Sequence, residues 1–175
     1  MNVTARHPGD RFRFCPACAA EALEFPPNGR LCNCAACGFR FFFNCAAAAA
    51  AFIFHGERII LTVRAHEPRK GALDLPGGFL DYEETVEEAL RREIREELAI
   101  ETSSFRYLTS APNDYLYGDV LYKTADLYFT CQADDIAGIR AGDDASDFVL
   151  VEPGQLDPAR LAFPSSVRAL QVLRR

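Results

Sequence analysis

The sequence predicts an α+β fold for most of the chain, with a small cysteine-rich module ahead of it. Six of the seven cysteines lie in the first 45 residues. From Ala46 onward, segments of β-branched and aromatic residues alternate with turn residues, and one long helical pattern, Glu84 to Leu98, interrupts them. With 175 residues and 49% hydrophobic composition, the chain can bury one main core and a small satellite.

The charge balance narrows the classes of partner. The chain carries 19 basic and 25 acidic residues, a net charge of −6, which argues against general electrostatic binding to nucleic acid or to an anionic membrane. No apolar run approaches the roughly 20 residues of a membrane-spanning helix, and the N-terminus has no apolar signal core. We therefore expect a soluble, cytoplasmic protein.

The first domain, residues 1–43, is predicted from its cysteines. Two CxxC pairs are separated by fifteen residues: Cys15 with Cys18, and Cys34 with Cys37. This spacing is typical of a four-cysteine zinc ribbon, in which four thiolates close the metal shell and make the Zn²⁺ structural. Cys32 is an alternative to Cys34, although it would break the pair spacing. The remaining two cysteines are predicted to be buried apolar side chains: Cys45 and Cys131.

The second domain, residues 44–175, begins with a predicted hairpin. Ala46 to Phe54 is interpreted as a strand despite the helical preference of alanine, because it leads into a β-branched and aromatic segment before a turn. Ile59 to Val63 forms its partner. Later strands are predicted at residues 105–110, 120–131 and 148–151. A C-terminal helix is expected to start at Ser165 as N-cap, with Arg174 and Arg175 in its last turn.

The helix at residues 84–98 carries the candidate chemistry. Asp81 is expected to cap it, with Glu84 returning the bond. At 100° per residue, the apolar side chains from Val86 to Leu98 fall between roughly 200° and 320°, whereas Glu93, Glu96 and Glu97 fall near roughly 180°, 120° and 220°. Glu97 thus lies inside the apolar arc, where a merely solvated charge would not be expected.

Three carboxylates on one partly buried face would raise each other's pKa unless cations neutralised them. Mg²⁺ or Mn²⁺ suits such hard oxygen ligands. The alternative is that they are surface charges paired with the neighbouring arginines 91, 92 and 95. Gly77 and Gly78, directly before the helix, favour the metal site, because their backbone can approach an ion or a phosphate closely.

The pattern of these residues resembles the Nudix box. The box has glycine, five residues, glutamate, seven residues, Arg-Glu, an aliphatic residue, any residue, Glu-Glu, any residue, glycine and an aliphatic residue. Gly78, Glu84 and the segment from Arg92 to Ile100 match it, except that Ala99 stands where the family has glycine. Because that position ends the helix and favours positive φ, Ala99 is expected to cost about 1 kcal/mol of stability without loss of chemistry.

The resemblance implies a Nudix α/β/α sandwich with a mixed sheet and assigns roles to the matching residues. It implies that Glu93, Glu96 and Glu97 bind Mg²⁺ or Mn²⁺, with the Gly78 carbonyl completing the shell. Glu84 and Arg92 would form a pair that orients the helix. Glu96 is the first candidate for the general base and Asp144, in an acidic loop, the second; the alternative for Asp143 and Asp144 is a solvated turn.

The resemblance also implies a reaction: metal-dependent hydrolysis of a nucleoside diphosphate linked to another group. A zinc ribbon ahead of a Nudix domain resembles NADH pyrophosphatases, which suggests a dinucleotide or ADP-ribose type of substrate. However, the segment at residues 107–117 lacks the NADH-specific motif of those enzymes, retaining only Ser110 and Pro112. Tyr115 and Tyr117 could stack on a base or could be packing residues.

The competing function is a non-catalytic nucleotide-sensing or nucleic-acid-binding module that uses the zinc ribbon. The retained glutamates and the absence of a dense basic and aromatic stripe argue against it. The expected partner is therefore a small nucleoside diphosphate-linked substrate, with no membrane, and a homodimer is compatible with the sequence.

Overall fold

The computed structural model describes residues 6–27 and 29–175. Within these residues, no helix is both long and apolar enough to cross a membrane. The chain forms two compact units, one of Met1–Ala46 with Asp114–Lys123 and one of Ala47–Asn113 with Thr124–Arg175. Short 3-10 turns lie at Pro8–Arg11 and Pro158–Arg160, and the helices are α1 (Val86–Leu98) and α2 (Pro164–Leu173). The strands are β1 (Leu23–Glu24), β2 (Leu31–Cys34), β3 (Arg40–Phe42), β4 (Ala46–His55), β5 (Arg58–Arg64), β6 (Leu73–Asp74), β7 (Gly77–Phe79), β8 (Ser103–Tyr117), β9 (Val120–Gln132) and β10 (Ala145–Val151).

The first unit is built on a three-stranded sheet in the order β1-β2-β3, with antiparallel pairs. Its aromatic rings pack against each other: Phe12, Phe41 and Phe43 have ring centroids 5.2 to 5.6 Å apart. Arg6 and Arg11 both form ion pairs with Asp119. The buried apolar side chains among the described residues of this unit are those of Cys15, Cys32 and Cys34. So small a core is typical of a small domain that needs a further source of stability.

The second unit is organised by a mixed sheet whose main path runs β10-β5-β4-β9-β8, with β6 beside β5 and β7 beside β4. The predicted strand at Ala46 and its hairpin partner are confirmed, with Ile53 opposite Ile60 and His55 opposite Arg58. The three later strands are also confirmed, and each is longer than predicted. The alanines form a strand because the segment from Ala49 to Ile53 lies in the core.

Two apolar clusters cover the two faces of this sheet. Ile53 and Ile60 pack with Leu90, Ile94 and Leu98 of helix α1. The alternate strand residues face the other way: Phe52, Ile59 and Leu61 pack with Ala169 and Leu170 of helix α2. The predicted α+β sandwich, with one helix on each face, is thereby confirmed.

Helix α1 begins later than predicted. Its N-cap is Thr85, which exchanges hydrogen bonds with Glu88 in a capping box, so the prediction of Asp81 as N-cap is wrong. Glu83 has a φ of 68°, which no helix can continue, and this places the start after it. The bond between the Asp81 amide and the Glu84 carboxylate is present, but it shapes the preceding turn.

Helix α2 begins earlier than predicted. Phe163 is its N-cap and makes no side-chain bond, whereas Ser165 lies inside the helix and is buried. Ser165 donates its hydroxyl to Asp126 at 2.7 Å, and this buried acceptor competes with a capping role. Arg174 is the C-cap, and its guanidinium donates to carbonyls of the loop before the helix rather than to the helix end.

Candidate functional site

The four cysteines of the CxxC pairs converge in the first unit. Their sulfur atoms all lie within 4.8 Å of one another. Sγ of Cys15 is 3.8 Å from that of Cys37, and Sγ of Cys18 is 3.7 Å from that of Cys34. The arrangement is that of a four-thiolate metal site of the zinc ribbon type.

Two tight turns produce this convergence. The amide of Ala19 donates to the Cys15 carbonyl at 2.8 Å, and the amide of Gly38 donates to the Cys34 carbonyl at 2.9 Å. Ala19 and Gly38 have φ values of 59° and 77°, so each chain segment reverses just after its pair. Both thiols of each pair are therefore directed at one point.

The other cysteines lie outside this group. Cys32 is fully buried in β2, and its thiol is not a member of the four-thiol group, which contains Cys34. Cys131 is buried, as predicted, and burial raises the pKa of its thiol to about 12. Cys45 is exposed, so the prediction that it is buried is wrong. Its position at the edge of β4, just before the apolar segment starts, explains the exposure.

In the second unit, two glycines bring the loop before helix α1 close to its neighbours. Gly77 has a φ of 143°, and a Cβ there would lie 2.1 Å from the Ala49 carbonyl oxygen of β4. A Cβ on Gly78 would lie 2.4 Å from Oε1 of Glu93. Gly77 is thus required because a side chain would clash with strand β4, and Gly78 because a side chain would clash with Glu93, a predicted metal ligand.

Glu84 and Arg92 form a two-point ion pair. Nε of Arg92 donates to Oε1 of Glu84 at 2.7 Å, and Nη2 donates to Oε2 at 2.9 Å. The same guanidinium reaches the Phe79 carbonyl, which ties the helix to β7. These bonds lower the pKa of Glu84 to about 2, first through Arg92 and then through the Asp81 amide. Glu84 is therefore held as a charged structural acceptor.

Glu97 is the most buried carboxylate of the site, with 7% of the residue exposed. Burial raises its pKa well above the usual range, although the Gly77 amide, which donates to Oε2 at 3.1 Å, works in the other direction. The negative charges of Asp74, Glu93 and Asp144 raise it further. A buried carboxylate among other carboxylates is costly unless a cation joins it.

Glu93 and Glu96 lie beside Glu97 and contact Arg92. Nη1 of Arg92 lies 2.8 Å from Oε1 of Glu93 and 3.3 Å from Oε2 of Glu96. The side chain of Glu93 is 15% exposed and that of Glu96 is 47% exposed. Burial raises the pKa of Glu93, and Arg92 partly opposes this. Glu96 is accordingly the more accessible of the two carboxylates to solvent.

The acidic loop before β10 packs next to this end of helix α1. The Gly142 amide donates to the Glu97 carbonyl at 2.9 Å, and the Ala65 amide donates to the Asp144 carbonyl at 2.8 Å. The Asp144 side chain is 69% exposed and lies 3.8 Å from Nε2 of His66. The structure therefore places Asp144 near the glutamates, but in a solvated position.

The three predicted carboxylate ligands, Glu93, Glu96 and Glu97, lie on the same helix, but their oxygen atoms do not converge on one point. Among residues 6–27 and 29–175, the four cysteines are the one group of three or more His, Cys, Asp or Glu side chains whose ligand atoms all lie within 4.8 Å of one another. Glu93 and Glu96 are directed at Arg92, whereas Glu97 is directed at Gly77. The carboxylates still outnumber the cations at this face, and their chemistry fits a hard divalent ion such as Mg²⁺ or Mn²⁺.

Sequence reasoning missed a second ion pair next to this loop. Asp74 lies three residues before Gly77, and its Oδ2 accepts from Nη1 of Arg64 at 2.9 Å. Burial raises the pKa of Asp74 to about 6, although Arg64 lowers it. The available signal was an aspartate between two leucines, Leu73 and Leu75, shortly before the two glycines.

The two tyrosines considered for base stacking lie on β8. Tyr117 is 65% exposed, so the packing interpretation is wrong for this residue. It belongs to the first compact unit, within Asp114–Lys123. A role in stacking therefore stays a prediction.

Comparison with known proteins gives a consistent result. The NUDIX domain family matches residues 45–171. An ADP-ribose pyrophosphatase from Methanocaldococcus jannaschii is 36% identical over 112 residues, which are 62% of this chain and 63% of that protein. An NAD-capped RNA hydrolase NudC from Pseudomonas aeruginosa is 27% identical over 112 residues, which are 63% of this chain and 37% of that protein. The chain thus spans less than two thirds of the length of either relative.

The fold has a close counterpart among solved structures. A NUDIX hydrolase from Nitrosomonas europaea superposes with a TM-score of 0.71 at 20% identity, covering 94% of this chain and 89% of that one. At this identity the match supports the fold. Together with the family match over residues 45–171, it leads to one conclusion: the chain belongs to the NUDIX domain family.

Proposed function

We propose that the protein is a metal-dependent pyrophosphohydrolase that cleaves a nucleoside diphosphate linked to another group. The observation that carries the proposal is the burial of Glu97 beside Glu93, behind a loop whose glycines let the backbone approach these carboxylates closely. Membership of the family and the names of the two relatives support the hydrolytic reaction.

We assign the cation to the carboxylates of helix α1. Glu93, Glu96 and Glu97 would hold Mg²⁺ or Mn²⁺ together with the Gly78 carbonyl. When bound, the ion supplies neutralisation of the diphosphate charge and activation of a water molecule. Arg92, fixed by Glu84, keeps Glu93 and Glu96 on the same side of the helix.

A general base is assigned to Glu96. Its side chain is 47% exposed, so it can exchange a proton with an attacking water, whereas Glu97 is enclosed. Asp144 is the second candidate, since it lies in the adjacent loop and affects Glu97 electrostatically. The variants Glu96→Gln and Asp144→Asn separate the two candidates. At a saturating metal concentration, the variant that lacks the general base should have the lower kcat.

We propose that the cysteine cluster binds structural Zn²⁺ and defines the first domain, residues 1–43, with the catalytic domain at residues 44–175. Four thiolates would complete a tetrahedral shell and leave no open position for a substrate. The first compact unit also includes Asp114–Lys123, so the hairpin tip of β8 and β9 would accompany the ribbon.

The substrate class is proposed to be ADP-ribose or an NAD-type dinucleotide, following the names of the relatives. The test is a panel of ADP-ribose, NADH, NAD⁺, an NAD-capped RNA, diadenosine polyphosphates and nucleoside triphosphates, each with Mg²⁺ or Mn²⁺. Cleavage of ADP-ribose or a dinucleotide between its two phosphates, well above the other compounds, is the expected result. No hydrolysis of any compound above the metal-free rate would reject the proposal.

A further inference from the structure

We propose that the buried pair Arg64–Asp74 is a positioning device for the candidate metal site, which fixes the loop at residues 75–78 so that the Gly77 amide is directed at Glu97. The inference rests on the proposed function, because it concerns the same carboxylates. It assigns a role to two residues that lie outside the Nudix box.

The two oxygens of Asp74 have different partners. Oδ2 accepts from Nη1 of Arg64 at 2.9 Å, and Oδ1 accepts from the Leu75 amide at 2.9 Å. One carboxylate thus joins the end of β5 to the first amide of the loop. The two side chains are only 15% and 14% exposed, so this is not a solvent-screened surface pair.

Arg64 is itself held in place. Its Nε donates to the Pro68 carbonyl at 2.7 Å, and its guanidinium lies over the Phe163 ring, 5.1 Å from the centroid. A guanidinium with both an edge and a face engaged cannot follow a moving partner easily. Asp74 is therefore attached to a rigid point of the second unit.

The other end of the loop is attached to β4. The Pro76 carbonyl accepts from the Ala51 amide at 2.9 Å, and Gly77 is opposite Ala50 in the pairing of β7 with β4. The next amide, that of Gly77, donates to Oε2 of Glu97 at 3.1 Å. Asp74 and β4 thus hold the loop on both sides of Leu75, and the Gly77 amide takes its direction from these attachments.

The pair also controls charge beneath the site. Asp74 interacts unfavourably with both Glu97 and the buried Asp126, and Arg64 opposes the effect of this charge. Buried ion pairs are expensive to desolvate, and an apolar pair of similar volume often serves stability equally well. The geometry that the charged pair gives to Glu97 accounts for a charged pair at this position.

The test compares the zinc-loaded 175-residue chain with its Asp74→Asn and Arg64→Met variants. Asparagine still accepts from the Leu75 amide but leaves Arg64 without its carboxylate. We expect the Kd for Mn²⁺, measured by electron paramagnetic resonance of the free ion, to weaken about ten-fold in each variant. We also expect ADP-ribose hydrolysis to fall at limiting Mn²⁺ and to recover in excess Mn²⁺.

The control is Ser165→Ala, which removes a buried hydrogen bond to Asp126 in the same unit without touching the loop. It should lower the melting temperature but keep the Mn²⁺ Kd within about two-fold. If Arg64 and Asp74 served stability alone, their variants would behave in the same way as this control. If Asp74→Asn does not fold, Arg64→Lys replaces it. Lysine keeps the charge but offers one donor nitrogen where arginine uses two, Nε to Pro68 and Nη1 to Asp74, so a loss of about three-fold is expected.

Two results would overturn the inference. If the variants bind Mn²⁺ as tightly as the wild type, the pair has no positioning role, while the proposed function stands on wild-type hydrolysis. If the wild type binds Mn²⁺ no better than Glu97→Gln and hydrolyses nothing, the proposed function fails and the inference fails with it.

Discussion

The four cysteines and the glutamates of helix α1 are both candidate metal ligands, but the chain holds them in different ways. The thiols come from two tight turns and meet within 4.8 Å. The carboxylates come from one helix, and each is held by a group of the protein: Glu93 and Glu96 by Arg92, and Glu97 by the Gly77 amide. The comparison teaches that side chains from two turns can converge on one point, whereas the carboxylates along one helix are held by two different groups.

The physical cause lies in the ligands and their spacing. Two CxxC turns can surround an ion with soft ligands and leave no open position. Side chains three and four residues apart on a helix can approach an ion from one side only, which leaves the other side for substrate and water. Partial occupation of the carboxylates by Arg92 keeps the excess negative charge tolerable.

The largest expected effect tests the four-cysteine site. Cys34→Ala should remove zinc completely, because three thiolates leave the shell open. Cys32→Ala is the matched control, since Cys32 is buried on the same strand but outside the cluster. Zinc content, measured by mass spectrometry after dialysis, should be near zero in the first variant and unchanged in the second. Equal zinc contents would show that the cluster does not bind the metal.

The next largest effect tests the carboxylate site of helix α1. Glu97→Gln should weaken Mn²⁺ binding by roughly 10²-fold, whereas Glu87→Gln, on the exposed face of the same helix, should leave it unchanged. In the absence of metal the folded-state pKa of Glu97 is raised, so its charge destabilises the fold as pH rises above about 4.5. The metal-free variant should therefore be more stable than the wild type at pH 8, in urea unfolding, and similar to it at pH 4.

Glu84 has the opposite pH behaviour. Its folded-state pKa is lowered to about 2, so its contribution to stability is present above about pH 4.5 and is lost as the pH falls towards 2. Glu84→Gln should be less stable than the wild type at pH 7, and the difference should shrink between pH 4.5 and pH 3. Urea unfolding of both proteins over this range measures it. A difference that is independent of pH would contradict the ion-pair account.

The smallest effect concerns the end of helix α1. Ala99 has φ 55° and ψ 33°, the left-handed conformation that favours glycine. Ala99→Gly should raise the free energy of unfolding by about 1 kcal/mol, with unchanged activity. Ala89→Gly, at a buried position in the first turn of the same helix, should lower it by at least about 1 kcal/mol. Destabilisation by Ala99→Gly would show that the strain is relieved elsewhere.

The sequence predicted the parts of the structure that depend on local pattern. The CxxC turns, the apolar face of helix α1 and the positive φ of Ala99 follow from spacing and from residue chemistry. It did not predict the helix starts correctly, because Thr85 competed with Asp81 for the cap and Asp126 engaged Ser165 from a distant strand. The pair Arg64–Asp74 was missed for the same reason: its partners are adjacent only once β5 and β6 pair.

The most direct test of the catalytic account is the rate of ADP-ribose hydrolysis by the zinc-loaded protein as Mg²⁺ is added, compared between the wild type and Glu97→Gln. The account predicts a saturable increase with Mg²⁺ in the wild type and a rate roughly 10²- to 10³-fold lower in the variant at the same Mg²⁺ concentration. Hydrolysis that proceeds equally in both proteins, or that does not depend on Mg²⁺, would contradict it.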